Sequence, residues 1–232
     1  MIHIRPSGAR GQTNLDWLDS RHTFSFNTYR DPAHTHFRKL RVINEDKVKP
    51  GMGFGTHSHS DMEILTWVLE GALEHKDSLG NGSIIRPGDL QQMTAGTGIM
   101  HSEFNHSQTE PVHFMQIWVF PNEKGLRPGY QQLSFGRDEM QGRLLKIASG
   151  QNSDKVVHIN QDAELYVAVL QNGDRVRHSF GENRHGWIQV MRGATTVNEI
   201  VLEAGDGASI SDESTIEIAA ARSTEIMLFD LA

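Results

Sequence analysis

Trp67-Val68-Leu69-Glu70-Gly71, followed by Arg86-Pro87-Gly88-Asp89, sets the pattern by which the rest of the chain reads. An apolar run ends at a glycine, and a Gly-Asp turn follows after another strand or two. The same pattern returns in Ile188-Gln189-Val190-Met191-Arg192-Gly193, followed by Glu203-Ala204-Gly205-Asp206. Each half then closes on an apolar run, residues 114–120 in the first and 226–231 in the second. The recurrence predicts two copies of one β unit. Outward from these motifs, 22 Gly and 7 Pro punctuate the chain at short intervals. Between them lie runs rich in Val, Ile, Leu, Phe and Trp, at residues 63–69, 112–120, 165–170, 187–191 and 225–231. Short strands with frequent turn signals predict an all-β sandwich or barrel. Helix is confined to one turn near residues 14–18 and a short stretch around 137–141. Residues 121–129, with Asn, Lys, Gly and Pro, read as the linker, which assigns one unit to residues 1–130 and the other to 131–232.

Composition excludes several function classes. The 22 Lys and Arg against 29 Asp and Glu leave a net charge of −7, and no basic run supplies a local exception. That balance argues against direct nucleic-acid binding. With no cysteine, disulfides, iron–sulfur clusters and thiolate catalysis are ruled out. No apolar run approaches the roughly 18 residues of a membrane span, and the start, Met1-Ile2-His3-Ile4-Arg5-Pro6, shows no signal peptide. The expectation is a cytoplasmic protein with no membrane contact. Its 13 histidines make nitrogen and oxygen the route to any transition metal.

The sharpest chemistry lies in Gly53-Phe54-Gly55-Thr56-His57-Ser58-His59-Ser60-Asp61-Met62-Glu63. Alternate side chains of a strand share a face, so His57 and His59 project together, about 7 Å apart along the strand. Glu63 has the same parity and faces inward if the strand runs unbroken. Farther on, in Gly98-Ile99-Met100-His101-Ser102-Glu103, His101 and Glu103 form a second same-face pair. Two such pairs on neighbouring strands would set three imidazoles and one carboxylate around a point in the lumen. That donor set suits Fe(II), Mn(II), Ni(II), Cu(II) or Zn(II), and a closed structural zinc site is not expected without thiolates.

The spacing His57-x-His59-x-x-x-Glu63, then Gly71, then Gly98-x-x-His101-x-x-x-Asn105, resembles the two cupin motifs. His22-Thr23-Phe24-Ser25-Phe26, Tyr29-x-Asp31-Pro32, Leu40-Arg41-Val42-Ile43-Asn44-Glu45-Asp46 and Thr94-Ala95-Gly96-Thr97-Gly98-Ile99-Met100-His101-Ser102-Glu103 are similar, more specifically, to the pirin family and its bacterial quercetin 2,3-dioxygenases. The resemblance implies a bicupin, two face-to-face jelly-roll-like β-barrels, with metal in the N-terminal one only. It also implies a mononuclear metal, Fe(II) first, on His57, His59, His101 and a carboxylate. Many cupins take that carboxylate from the first motif, here Glu63; pirins take it two residues after the last histidine, here Glu103. Glu103 is the expected ligand. Glu63 is then expected to orient a histidine or to stay ionised through backbone hydrogen bonds. Either glutamate is a candidate general base. The implied reaction opens a flavonol such as quercetin with O2 and releases carbon monoxide. The other reading is an iron-bearing, non-enzymatic regulator acting through a protein partner.

The remaining candidates read as structural. His158, His178 and His185 lack a His-x-His or acidic neighbour at the ligand spacing. His75, among charged neighbours, reads as a solvated strand end. His113 and Gln116 sit on opposite faces, so one of them can line the cavity, with a satisfied core or surface role the other reading for each. Phe24, Phe26 and Trp67 are pocket walls or plain core, and residues 41–49 read as a solvated strand and turn.

Overall fold

The structure, a computed structural model, describes residues 1–232. The chain divides into two compact units that are not consecutive in sequence. One holds residues 11–134 and 157–161, the other 1–10, 135–156 and 162–232. A single boundary after residue 130 is thus replaced by four crossings, after 10, 134, 156 and 161. Strand β1 (Ile2–Arg5) explains the first, because it pairs antiparallel with Gly207–Ile210 near the other end of the chain.

The first unit contains β2 (Gly11–Asn14), β3 (Leu18–His22), β4 (Leu40–Val48), β5 (Gly53–His59), β6 (Glu63–Glu70), β7 (Leu73–Asp77), β8 (Gly82–Ile85), β9 (Asp89–Thr94), β10 (Ile99–Asn105), β11 (Val112–Val119) and β12 (Gly129–Ser134). They form two antiparallel sheets, ordered β12-β9-β6-β11-β4-β3-β2 and β5-β10-β7-β8. After the single helical turn α1 (Arg137–Met140), the chain continues through β13 (Leu145–Ser149) and β14 (Val157–His158), the latter returning to the first unit. The rest of the second unit is β15 (Ala163–Leu170), β16 (Arg175–Ser179), β17 (His185–Arg192), β18 (Ala194–Val197), β19 (Ile200–Glu203), β20 (Gly207–Ile210), β21 (Thr215–Ala220) and β22 (Thr224–Leu231). Its sheets run β1-β20-β17-β22-β15-β13 and β16-β21-β18-β19.

Laid side by side, β9-β6-β11-β4-β3 corresponds to β20-β17-β22-β15-β13, and β5-β10-β7-β8 to β16-β21-β18-β19. The expected duplication is therefore present in the strand order. Its turn chemistry repeats as well. Gly71 and Gly193 both have φ near +80° (77° and 80°), and a Cβ on either would meet a backbone carbonyl, that of Pro111 at 2.7 Å or Ser223 at 2.1 Å. Only glycine fits these positions. In both Gly-Asp turns the aspartate accepts the amide three residues back, Arg86 N to Asp89 at 2.9 Å and Glu203 N to Asp206 at 2.9 Å.

Three local expectations are corrected. Each unit is a pair of cupin-like sheets, not a closed hydrogen-bonded barrel. Residues 14–18 hold a hairpin turn, with Leu15 and Leu18 exchanging backbone hydrogen bonds, while the helical turn at α1 is present. Residues 121–129 do not lead out of the first unit, because β12 returns to pair with β9.

The lumen of the first unit is layered. Inward positions on β6 run Ile64, Thr66, Val68, and on β11 Trp118, Gln116, Phe114. The outer members belong to two apolar clusters, one around Ile64, Met93 and Ile99, the other around Leu18, Val48, Val68 and Phe114. Between them the pairing registers align Gln132, Gln91, Thr66, Gln116, Asn44 and His22 across six strands. A polar belt inside a sandwich has to meet polar partners, and the facing sheet supplies them.

Candidate metal centre

The facing sheet places its functional groups by register. His101 on β10 lies opposite His57 on β5 and Asp77 on β7, and Glu103 lies opposite His75. The burial of β10 alternates strictly, so Ile99, His101, Glu103 and Asn105 all point inward. A bulge between His101 and Glu103 shifts the β5 partner from His57 to Phe54.

His57, His59 and His101 present ring nitrogens within 4.8 Å of one another. Their ring centroids are 4.4–4.9 Å apart. Burial, reinforced by the neighbouring rings, pushes the pKa of His59 down to about 4 and that of His101 to about 3. Both are therefore neutral at neutral pH, the form in which imidazole offers a lone pair to a cation. His57 Nδ1 donates to Gly55 O at 2.8 Å, which leaves its Nε2 as the free lone pair.

A chain of contacts does the same for His101. Asp77, whose carboxyl is held below its ordinary value by hydrogen bonds from Asn81, His75 and Leu79 in spite of burial, accepts from His75 Nε2 at 3.4 Å. The other ring nitrogen of His75, Nδ1, faces His101 Nδ1 at 3.5 Å. This contact assigns the proton of neutral His101 to Nδ1, toward His75, and leaves its Nε2 unprotonated. That atom is buried and has no hydrogen-bond partner, an arrangement that is costly in a packed interior unless a cation completes it. The donor set and this orphaned nitrogen fit a divalent transition metal.

Glu103 lies beside this cluster. Its carboxylate falls within 4.8 Å of the donor atoms of His75 and His101. Gln116 Nε2 donates to both of its oxygens, at 3.1 and 2.9 Å, while Thr66 Oγ1 donates to the Gln116 carbonyl at 3.2 Å and so fixes the amide's orientation. Glu103 also lines a cavity of 260 Å³ with His57, His59, Gln116 and the rings of Trp17, Phe26, Phe54 and Trp118.

The structure does not bring Glu63 to this cluster. The strand is broken between β5 and β6 by Asp61 in the left-handed region, φ 49°, so parity does not carry across. The Glu63 carboxylate instead accepts from Gln92 at 2.7 Å, Thr94 at 3.1 Å, and Asn160 through its backbone at 3.2 Å and its side chain at 3.3 Å. It touches none of these three histidines. Burial outweighs these bonds and raises its pKa.

His75 was the residue the sequence misjudged, for its side chain is fully buried. The signal was available in His75-x-Asp77, which repeats the i,i+2 spacing of the other two pairs. Gln116 faces the cavity, whereas His113 pairs with Glu45 at 3.0 Å on the opposite face. Phe26 is a cavity wall; Trp67 and Phe24 are buried outside it. Strand β4 is largely buried, not solvated, and Asn44 accepts from His22 Nδ1 at 2.8 Å.

The second unit fills the matching space with hydrocarbon. Strand β21, the counterpart of β10, turns Ile216, Ile218 and Ala220 inward, where they join Val176, Ile188, Val190, Ile226 and Leu228 in one apolar cluster. His178 pairs with Asp230 at 2.7 Å, and His185 Nδ1 bonds Ser211 at 2.9 Å. His158, in the first unit, donates its backbone N–H to Gln131 at 3.1 Å.

Residues 3–119 match the family described as Pirin, and residues 146–231 the quercetinase C-terminal cupin domain. Quercetin 2,3-dioxygenase of Escherichia coli strain K12 is 47% identical over 231 residues, covering 100% of this chain and 99% of that protein. The crystal structure of YhhW from Escherichia coli aligns with a TM-score of 0.96 at 45% identity, covering 100% of this chain and 98% of that one. The nickel(II) complex of bacterial pirin YhhW aligns at 0.94 and 46% identity, covering 100% and 99%.

Proposed function

The chain belongs to the pirin family, and from that premise we propose that it is a metal-dependent dioxygenase that opens the ring of a flavonol with O2 and releases carbon monoxide. The observation that carries this reading is the buried, unpartnered Nε2 of His101, set beside the His57 and His59 rings at an aromatic-walled cavity. His57, His59, His101 and Glu103 would hold the metal, with Fe(II) as the first candidate. When bound, such an ion acts as a Lewis acid toward a substrate hydroxyl and supplies the redox-active centre that O2 chemistry requires.

The chain's own residues do the rest. Trp17, Phe26, Phe54 and Trp118 give a planar ring system flat apolar walls, which exclude water and fix its orientation. Glu103 accepts the proton of the flavonol hydroxyl at a carboxylate oxygen, and the Gln116 amide holds that carboxylate in place. Glu63, outside the cavity, takes no part in this scheme.

Anaerobic loading with Fe(II), followed by oxygen-uptake and carbon monoxide assays with quercetin, tests the proposal. Uptake matched to quercetin loss and to carbon monoxide supports it. Metal bound with no uptake across several flavonols and catechols overturns it in favour of a non-enzymatic regulator.

A further inference from the structure

The cavity at the histidines shares its aromatic walls with a wider groove of 1010 Å³, in whose lining His57 and His59 also appear. That volume is at the upper end for a small-molecule site, ~300–1,000 Å³. Two guanidiniums line the groove, Arg30 from the segment between β3 and β4 and Arg41 from the start of β4. Neither has a carboxylate partner. Arg30 donates only to its neighbour's carbonyl, Tyr29 O at 3.2 Å. Arg41 Nη1 is anchored on two carbonyls, Ser25 O at 2.8 Å and Thr35 O at 3.0 Å, so its fork is held in a fixed place. Desolvation and the nearby charge of Arg30 depress the Arg41 pKa. The one acidic residue of the lining, Asp31, is already engaged by His34 Nδ1 at 2.8 Å, Ala33 N at 3.1 Å and Tyr29 Oη at 3.2 Å. In a chain of net charge −7, this groove holds two cations against one occupied anion.

Two like charges beside aromatic walls repel each other in the free protein and are relieved by an oxyanion. We propose that the groove selects a planar aromatic substrate carrying a carboxylate or sulfate, bound by Arg30 and Arg41 at the end away from the hydroxyl that faces the histidines. This rests on the dioxygenase reading for the identity of the site. Quercetin, which has only phenolic hydroxyls at that end, is then a surrogate substrate.

The test is calorimetric binding to the full-length protein loaded with Zn(II), which leaves the ligand uncleaved. The probes are 3-hydroxyflavone and its 4′-carboxylate. The carboxylate is expected to bind about tenfold more tightly, the worth of a charge-assisted contact, with the advantage shrinking at high salt. Arg30→Gln, at an exposed position, should reduce the affinity ratio several-fold, and Arg30→Gln with Arg41→Gln should bring it to about one. Equal affinity in the wild type, or a ratio unmoved by both variants, overturns the inference. Failure of both flavonols to bind counts against the dioxygenase reading instead. The groove is then read with 2-naphthoate against 2-naphthamide on the same proteins. A naphthoate preference that the variants remove upholds the arginine site, and no preference overturns it.

Discussion

His101 depends on what its other nitrogen does. With Nδ1–H aimed at His75 and His75 in turn tied to Asp77, only Nε2 is left to meet a cation. Removing the ring removes that lone pair, so His101→Ala is expected to lose bound metal on elemental analysis while the strand pairing of β10 survives. His75 acts through His101, so His75→Ala should weaken metal affinity by about 10–100-fold without abolishing it. A chelator-competition titration reads this, and His75→Gln, whose carbonyl accepts and whose amide donates, should recover part of the loss. A purely structural histidine would show no such rescue. Glu63 has a different job. Gln92, Thr94 and Asn160 converge on its carboxylate, so Glu63→Ala leaves buried donors without an acceptor. The expected cost is ~1–3 kcal/mol in a urea melt, with metal content unchanged; loss of metal from that variant would place Glu63 in the centre after all.

Elements show why part of this was legible and part was not. The runs at β6, β11, β15, β17 and β22 were readable because each carries apolar residues on both faces, and β6 and β17 also end at a glycine with a fixed job, Gly71 and Gly193. Strand β4 was misread because its inward residues include Asn44, of the polar belt, and Asp46; alternation of apolar and polar residues marks a strand only when the inside is apolar. His75, on the facing sheet, was hidden by the charged residues on either side of it. Nothing in residues 1–10 marks their place in the second unit, since β1 pairs with a strand some two hundred residues away and such pairing leaves no local trace. That strand is anchored by Ser7 N to Asp206 at 2.6 Å and Arg10 Nη1 to Gly205 O at 3.2 Å. Deleting residues 1–5 should therefore expose the amides of β20 at Gly207–Ile210 to hydrogen exchange, while metal content and the exchange of β5 and β10 stay as they were. Loss of protection in β5 and β10 would refute the assignment of the N-terminus.

The whole molecule uses one topology twice, with opposite interiors: a polar belt and metal donors in the first unit, and an aliphatic cluster around Ile188, Ile218 and Leu228 in the second. A neutral imidazole pair buried in the folded state makes the metal-free protein sensitive to acid. An unfolded chain protonates histidine near 6.5, but His59 and His101 resist down to about 4 and about 3. Between those values the unfolded state binds more protons, so stability present above pH 6.5 declines as the pH falls toward 4. Glu63 opposes this weakly. Its raised pKa means that its contribution is complete below the ordinary value of 4.5 and is lost as the pH rises through the folded value. Denaturation midpoints of the metal-free protein measured across this range should fall steadily below pH 6.5. They should fall less in His59→Gln, which has no imidazole to charge, and more in Glu63→Gln, which loses the opposing group. A bound divalent ion adds stability at neutral pH in proportion to its affinity and competes with protons for the same nitrogens. The metal-loaded protein should consequently start higher, drop more steeply with acid, and converge on the metal-free curve near pH 4. Parallel curves for the loaded and metal-free protein would mean that the ion is held by groups other than these imidazoles.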